Sequence, residues 1–200
     1  MNDVRIRVAD ASQAPALLEI YAPYVTDTAA TFEYAVPSAE DFAGRMRSTL
    51  LRYPYLVAED SGGILGYAYA GPLKDRAAYG WAVETSVYVK TGAHRRGVGR
   101  GLYSVLEQML AAQGMRSMYA CIAASDHDTE RLNSDSLRFH ERMGFHEAGR
   151  FRKCGYKFRT WYDIVWMEKA IVGHDEGAPV FLPFPEIRGL AEAVCAAYPR

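Results

Sequence analysis

The sequence predicts an α/β protein of the α+β kind, a mixed central β-sheet with helices on both faces. Three observations carry that expectation. Short stretches of alternating or continuous apolar residues recur along the chain. Longer stretches with apolar residues at helical spacing fall between them, and the connections are short. The resulting order is β-α-α-β-β-β-α-β-α-β-β, with no internal repeat.

VRIRV (4–8) alternates apolar and polar residues, as a short strand does. ASQAPALLEIYAPYV (11–25) has helical spacing, with Pro15 tolerable only near the first turn. TDTAATFEYAVP (26–37) has no period and reads as a loop. Ser38 stands before a second helix, AEDFAGRMRSTLL (39–51), and Asp41 takes the place of glutamate in a capping box. YLVAED, SGG and ILGYAYAG (55–71) form a hairpin. GWAVETSVYV (80–89) is a strand rich in β-branched and aromatic residues. LYSVLEQMLAAQG (102–114) is an amphipathic helix capped by Gly114. MRSMYACIA (115–123) is a strand and SDHDTERL (125–132) a polar loop. SDSLRFHERMG (134–144) is a helix ended by Gly144, and FHEAGRFRK and TWYDIVWMEK supply the last strands. From residue 171 glycine, proline and small residues dominate, and EIRGLAEAVCAAY (186–198) is a short helix. The expected organisation is a domain over 1–170 with a C-terminal extension over 171–200.

Two hundred residues, half of them hydrophobic, suit one domain with a sizeable core. Twenty-three basic and 24 acidic residues nearly cancel, which argues against non-specific nucleic-acid binding. No apolar run approaches the roughly 18 residues needed to span a bilayer, and the amino terminus lacks an apolar signal region. Cys121, Cys154 and Cys195 are far apart in sequence and form no CxxC pair. Neither a zinc site nor a disulfide framework is suggested, so a reducing cytoplasm is the expected location, with no membrane or metal partner.

The stretch AHRRGVGRGLY (93–103) combines His94, Arg95 and Arg96 with Gly97, Gly99 and Gly101, just before a helix. Unpaired N–H groups and the dipole at a helix start favour an anion, and glycines let its ligand come close. Three readings compete: a surface turn with solvated arginines, a dinucleotide-binding turn, and a pyrophosphate cradle for coenzyme A. A GxGxxG motif would need glycine where Leu102 stands, and would follow the first strand of its unit. HRRGVG fits the loose coenzyme A signature Q/R-x-x-G-x-G/A, with His94 in first place. Glu84 is a further chemical signal. It interrupts an otherwise apolar strand that should be central, where burial of a carboxylate is costly and raises its pKa toward the range of a useful base.

AYGWAVETSVYV, HRRGVGRGLY and NSDSLRFHERMGF, in this order, resemble the Gcn5-related N-acetyltransferase (GNAT) superfamily. The resemblance extends to its phosphinothricin and methionine sulfoximine acetyltransferase branch through EIYAPYV, TAATFEY, YPYLVAE, GYAYAGPLKDRAAY and GYKFRTWYDIVWME, and covers roughly residues 4–169. It implies the GNAT fold, with a splayed pair of parallel strands, acetyl-CoA as co-substrate and no metal. It implies acetyl transfer to the amine of a small amino-acid-like acceptor. A protein or peptide acceptor, or a non-catalytic coenzyme A-sensing module, are the alternatives. Carried onto this chain, Val87, Tyr88 and Val89 bond the pantetheine arm through their backbones. The backbone of Arg95, Arg96, Gly97, Val98, Gly99 and Arg100 holds the pyrophosphate, and Asn133 contacts the cofactor. Glu84 is the base, and His140 stands where many members carry a tyrosine that protonates the leaving thiolate. Arg76, Ala77, Ala78 and Tyr79 lie where the branch meets its acceptor. Arg76 would clamp a carboxylate, with Lys74, Arg45 and Lys157 as alternatives. His94 replaces the usual glutamine or arginine, 125–132 resembles an insertion, and 171–200 runs past the usual end. The branch implies a homodimer, to which the tail helix would contribute because it would otherwise lack a partner.

Overall fold

A computed structural model describes residues 4–174 and 177–198. Seven strands form one sheet: β1 (Arg5–Val8), β2 (Tyr55–Asp60), β3 (Gly63–Pro72), β4 (Ala82–Val89), β5 (Ser117–Ala124), β6 (His146–Lys157) and β7 (Thr160–Ala170). Their spatial order is β1-β2-β3-β4-β5-β7-β6. All neighbours are antiparallel except β4 and β5. These two pair only from Ala82↔Ser117 to Glu84↔Tyr119, and then they part. This fork positions everything described below.

The helices are α1 (Ala14–Thr26), α2 (Ala39–Leu50), α3 (Val98–Ala112), α4 (Asp135–Arg142) and α5 (Phe184–Ala197). Strand alternation sorts the two faces. Leu56, Ala68, Val83, Met118 and Val165 meet α3 and α5 in the larger core. Val57, Tyr67 and Tyr55 turn the other way, toward Leu17, Phe42 and Met46 of α1 and α2. A third cluster joins Ala29, Ala123, Leu132 and Tyr162. Leu132 thereby anchors the 125–132 loop, which Ala29 also holds by donating its N–H to the Arg131 carbonyl at 2.8 Å. None of the described helices is long and apolar enough to cross a membrane.

Several local details differ from the sequence expectation. α3 starts at Val98 rather than Leu102, so Gly99 and Gly101 lie within its first turn. Gly101 belongs there because a Cβ would stand 2.9 Å from the Tyr198 hydroxyl and 3.0 Å from Ile6, where α3 presses against β1 and the chain end. The α2 cap is half a capping box. Ser38 Oγ accepts the Asp41 N–H at 3.1 Å, but it also donates to the Asp41 carboxylate at 2.6 Å, which keeps that side chain from the Ser38 backbone. α1 contains Pro23 in its last turn, where the missing N–H forgoes one bond to the carbonyl of Glu19 shortly before the helix ends.

The helix at the chain end finds its partner within the chain, contrary to expectation. Phe184, Ile187, Ala191 and Cys195 are buried in the main core against β1 and α3. The segment leading to it is tied down by Trp81 Nε1 donating to the Pro179 carbonyl and by Gln113 Nε2 donating to the carbonyls of Arg52 and Leu182, each at 2.8 Å.

Candidate functional site

The fork opens a groove with a cavity of about 490 Å³, walled by β4, β5, the start of α3, the 129–133 segment and α4. A gap in a sheet leaves backbone groups unpaired, and β4 makes this explicit. Lys90 donates its N–H to Leu65 of β3, so by strand alternation Tyr88 and Ser86 also face β3 while Val89, Val87 and Thr85 face the gap. Val87 is the one of the three predicted arm-binding residues with an open backbone edge. Tyr88 is committed to β3. Val89 is engaged by Tyr24, whose hydroxyl donates to the Val89 carbonyl at 2.7 Å and accepts its N–H at 3.2 Å, and His94 Nε2 lies 3.0 Å from the same carbonyl.

At one end of the groove lies the glycine-rich turn. Gly97 is the α3 N-cap at φ 80°, ψ −1°, a left-handed conformation that glycine adopts without strain. It offers no capping side chain, so the first α3 N–H groups stay available to an anion. Arg95, Gly97, Val98, Gly99 and Arg100 line the groove. Arg96 does not, because its guanidinium turns to Asp60 at 2.9 Å. Arg95, Arg100 and Arg142 face the groove with no ion-pair partner among the described residues. Asn133 lines it too, and its side chain caps the approach to α4 by accepting the Asp135 N–H at 3.0 Å. An open cradle of backbone donors, flanked by uncommitted arginines and continuous with a long groove, fits a pyrophosphate-bearing cofactor.

Deeper in the groove stands a pair that sequence reasoning half saw. His140 is buried, and its Nδ1 lies 2.8 Å from the Ser136 carbonyl. A carbonyl only accepts, so this network places the proton on Nδ1 and leaves Nε2 as an acceptor. The Tyr103 hydroxyl is 3.0 Å from that Nε2 and 3.4 Å from the Thr85 carbonyl. Burial drives the His140 pKa down to about 4 and pushes the Tyr103 phenol up, so both are neutral at ordinary pH. Phe139 and Phe145 pack edge-on around the imidazole. Tyr103, Tyr24 and Arg142 were not read from the sequence. Tyr103 and Tyr24 look like helix-face aromatics until β4 is seen to open beside them.

Glu84 lies on the opposite face of the sheet, at the last paired residue before the fork. Burial raises its carboxyl above the usual range, partly offset by Lys74. Lys74 also lies 5.9 Å from the centre of the Trp166 ring. The nearby loop carries Arg76 as the N-cap of a 3-10 turn formed by Ala77, Ala78 and Tyr79, and all four are exposed and lie outside the lining of the groove. Lys157 is committed elsewhere: its buried ammonium donates to the carbonyls of Thr28 and Thr31 at 2.9 and 2.7 Å. Arg45 pairs with Glu33 at 2.6 Å. Among the described residues no group of three or more His, Cys, Asp or Glu is placed to hold a metal ion.

A family model described as acetyltransferase (GNAT) domain matches residues 6–166. A phosphinothricin N-acetyltransferase of Streptomyces viridochromogenes is 35% identical over 166 residues, which is 83% of this chain and 87% of that one. An L-methionine sulfoximine/L-methionine sulfone acetyltransferase of Salmonella typhimurium is 33% identical over 84% of this chain and 95% of its own. Among solved structures, a GNAT superfamily phosphinothricin acetyltransferase from Sinorhizobium meliloti in complex with acetyl-CoA superimposes with a TM-score of 0.81. It is 31% identical, over 92% of this chain and 96% of that one.

Proposed function

Because the chain belongs to the GNAT acetyltransferase family and is an acetyl-CoA-dependent N-acetyltransferase, we propose that it acetylates the amine of a small amino-acid-like acceptor of the phosphinothricin or methionine sulfoximine kind. One observation carries this reading. The sheet forks at Glu84, so a groove suited to a phosphorylated thioester opens on one face while a half-buried carboxylate stands at the same level on the other. When bound, acetyl-CoA supplies an activated acetyl group. The free N–H groups at the start of α3, with Arg95, Arg100 and Arg142, hold its phosphates. Val87 offers its backbone to the arm, and Asn133 stands at the groove wall.

An amino acid arrives as an ammonium, and Glu84 takes its proton. Burial raises the carboxyl toward neutrality, which makes it a stronger base than an exposed glutamate. Tyr103 is the neutral donor in the groove, and it stabilises negative charge developing there by a hydrogen bond rather than by releasing a full proton. The single Tyr103 hydroxyl proton points to His140 Nε2 before reaction and must turn from there to the developing charge, so His140 holds the hydroxyl ready and is not a simultaneous partner. This moves the donor role from His140 to Tyr103, because the proton of His140 is committed to Ser136. Lys74 and Arg76, on the loop that leads into β4, are the cations for an acceptor carboxylate.

The chain works as a cytoplasmic homodimer with neither nucleic acid nor membrane as partner. Exposed Phe151, Tyr156 and Trp161 on the β6–β7 hairpin support association, the near-neutral charge speaks against a nucleic-acid partner, and three free cysteines support the location. The deciding assay is release of free thiol from acetyl-CoA with a panel of amino acids, with the products weighed by mass spectrometry. Amine-dependent release and N-acetyl amino acid are expected. Acetylated protein as the only product would favour a macromolecular acceptor, and acetyl-CoA binding without turnover would favour a sensing role.

A further inference from the structure

The turn that leads into α3 is held in a conformation it would not keep alone. Gly92, Arg95 and Gly97 have left-handed backbones, at φ 85°, 61° and 80°, and Arg95 carries a Cβ there. Such a conformation persists only where its surroundings fix it. Three attachments to the β2–β3 hairpin do so. Before the turn, Lys90 donates its N–H to the Leu65 carbonyl at 2.8 Å. After it, Val98 packs on Gly66, where an added Cβ would stand 3.1 Å from Val98 Cγ1. Between the two, the Arg96 guanidinium donates to the Asp60 carboxylate at 2.9 Å.

A bulge in the hairpin brings these attachments onto one face. Ala58 pairs with Gly66 but Glu59 with Ile64, so Leu65 is an extra residue on β3. It turns into the main core beside α3, as Ala58 does, and Asp60, two residues beyond Ala58, faces the same way. Asp60 is itself fixed. Its side chain is 8% exposed, and the oxygen not given to Arg96 accepts the Gly62 N–H at 2.8 Å. Its neighbour Glu59 faces the opposite side of the sheet and accepts two hydrogen bonds from Arg7, at 2.8 and 2.7 Å.

We propose that Asp60 is a positioning residue for acetyl-CoA: through Arg96 it holds the turn so that the N–H groups at the start of α3 face the groove. The inference rests on the phosphate cradle proposed above and adds what keeps that cradle in shape. Its signature is one of sign. A carboxylate near an anion site repels the anion, so on charge alone Asp60→Asn would tighten binding. Positioning demands the reverse, because apparent affinity falls with the fraction of molecules whose turn is in place.

The test is calorimetric titration of acetyl-CoA into the wild-type chain and folded variants. Asp60→Asn and Arg96→Gln should each weaken binding about three- to tenfold, the scale of one partly exposed ion pair. The double variant should be no weaker than the weaker single one, because both break the same pair. With L-methionine sulfone as acceptor, the loss should appear in KM for acetyl-CoA and not in kcat. Glu59→Gln, which breaks the neighbouring pair on the other face, should bind acetyl-CoA as the wild type does. Unchanged or tighter binding in Asp60→Asn, additive losses in the double variant, a loss confined to kcat, or an equal loss in Glu59→Gln would overturn the inference. Arg100→Glu separates this from failure of the cradle. If Arg100→Glu weakens binding and Asp60→Asn does not, the positioning role alone falls, and if neither weakens it, the phosphates are held elsewhere and both readings fall.

Discussion

Glu84 and His140 are both titratable residues pushed away from their ordinary pKa values by burial, but the consequences differ. Glu84 is raised, so the acidic limb of the kcat/KM profile should lie above the ordinary glutamate range. Glu84→Gln should lower kcat on the order of 10²–10⁴-fold while acetyl-CoA affinity holds, as measured by steady-state kinetics and calorimetry. An unchanged profile with near-normal turnover would remove Glu84 from the reaction. His140, held near 4, is neutral across the working range. No limb near 6.5 should therefore belong to it, and a limb there that His140→Gln abolishes would restore it as the acid. Tyr103→Phe should reduce kcat roughly tenfold or more, the loss expected when a donor to developing charge is removed.

Among elements, the start of α3 forms the end of the groove proposed to hold the cofactor's phosphates. Its left-handed Gly97 cap and small first turn are what allow backbone donors, rather than side chains, to face the groove. Arg100 sits in that turn without an ion-pair partner. Reversing its charge in Arg100→Glu should weaken acetyl-CoA binding roughly tenfold to a hundredfold, the range for losing one charge-assisted hydrogen bond. Arg96→Glu should cost less, because Arg96 is engaged with Asp60 outside the groove. Affinity equal in the two variants would mean that the turn acts by net charge rather than by placement. Gly99 is a poorer probe. A Cβ there stands 3.3 Å from the Phe139 ring, so bulk at this position disturbs the packing around His140 as well as the cradle.

For the whole molecule, burial of His140 links the site to stability. Unfolded, the imidazole titrates near 6.5, and folded, near 4. Between those values the unfolded chain binds more protons, so stability falls as pH drops through that window and does not depend on this group above it. The loss approaches roughly 3 kcal/mol below pH 4. Urea midpoints from pH 7 to pH 4 should fall less steeply for His140→Gln than for the wild type, and parallel slopes would refute the linkage. The chain end belongs to the same cooperative unit, since Phe184 is 1% exposed within the core that also holds Leu102 and Leu106 of α3. Phe184→Ala should cost about 3–5 kcal/mol by denaturant titration. A cost below 1 kcal/mol would make residues 184–197 dispensable to the fold.

The sequence by itself determined the order of the elements, the glycine-and-arginine composition of the turn after β4 that suits an anion, and the conflict at Glu84. Each of these is local: alternation, helical spacing, glycines beside arginines, an acid in an apolar strand. Motif resemblance added His140 and Asn133 to the groove. What only the tertiary structure decided depends on partners distant in sequence. Whether Val87 or Val89 has an open backbone edge is set by Tyr24, 65 positions from Val89. That the acceptor nitrogen of His140 meets a phenol donor is decided by Tyr103 on another helix, while the Ser136 carbonyl holds the proton on the other nitrogen. Arg96 leaves the groove because Asp60 is across the hairpin turn. The apolar face of α5 meets β1 because the first strand of the chain lies at the sheet edge beside α3. A local pattern shows what a residue offers, but hydrogen-bond direction, burial and pairing depend on which other groups the fold brings within reach.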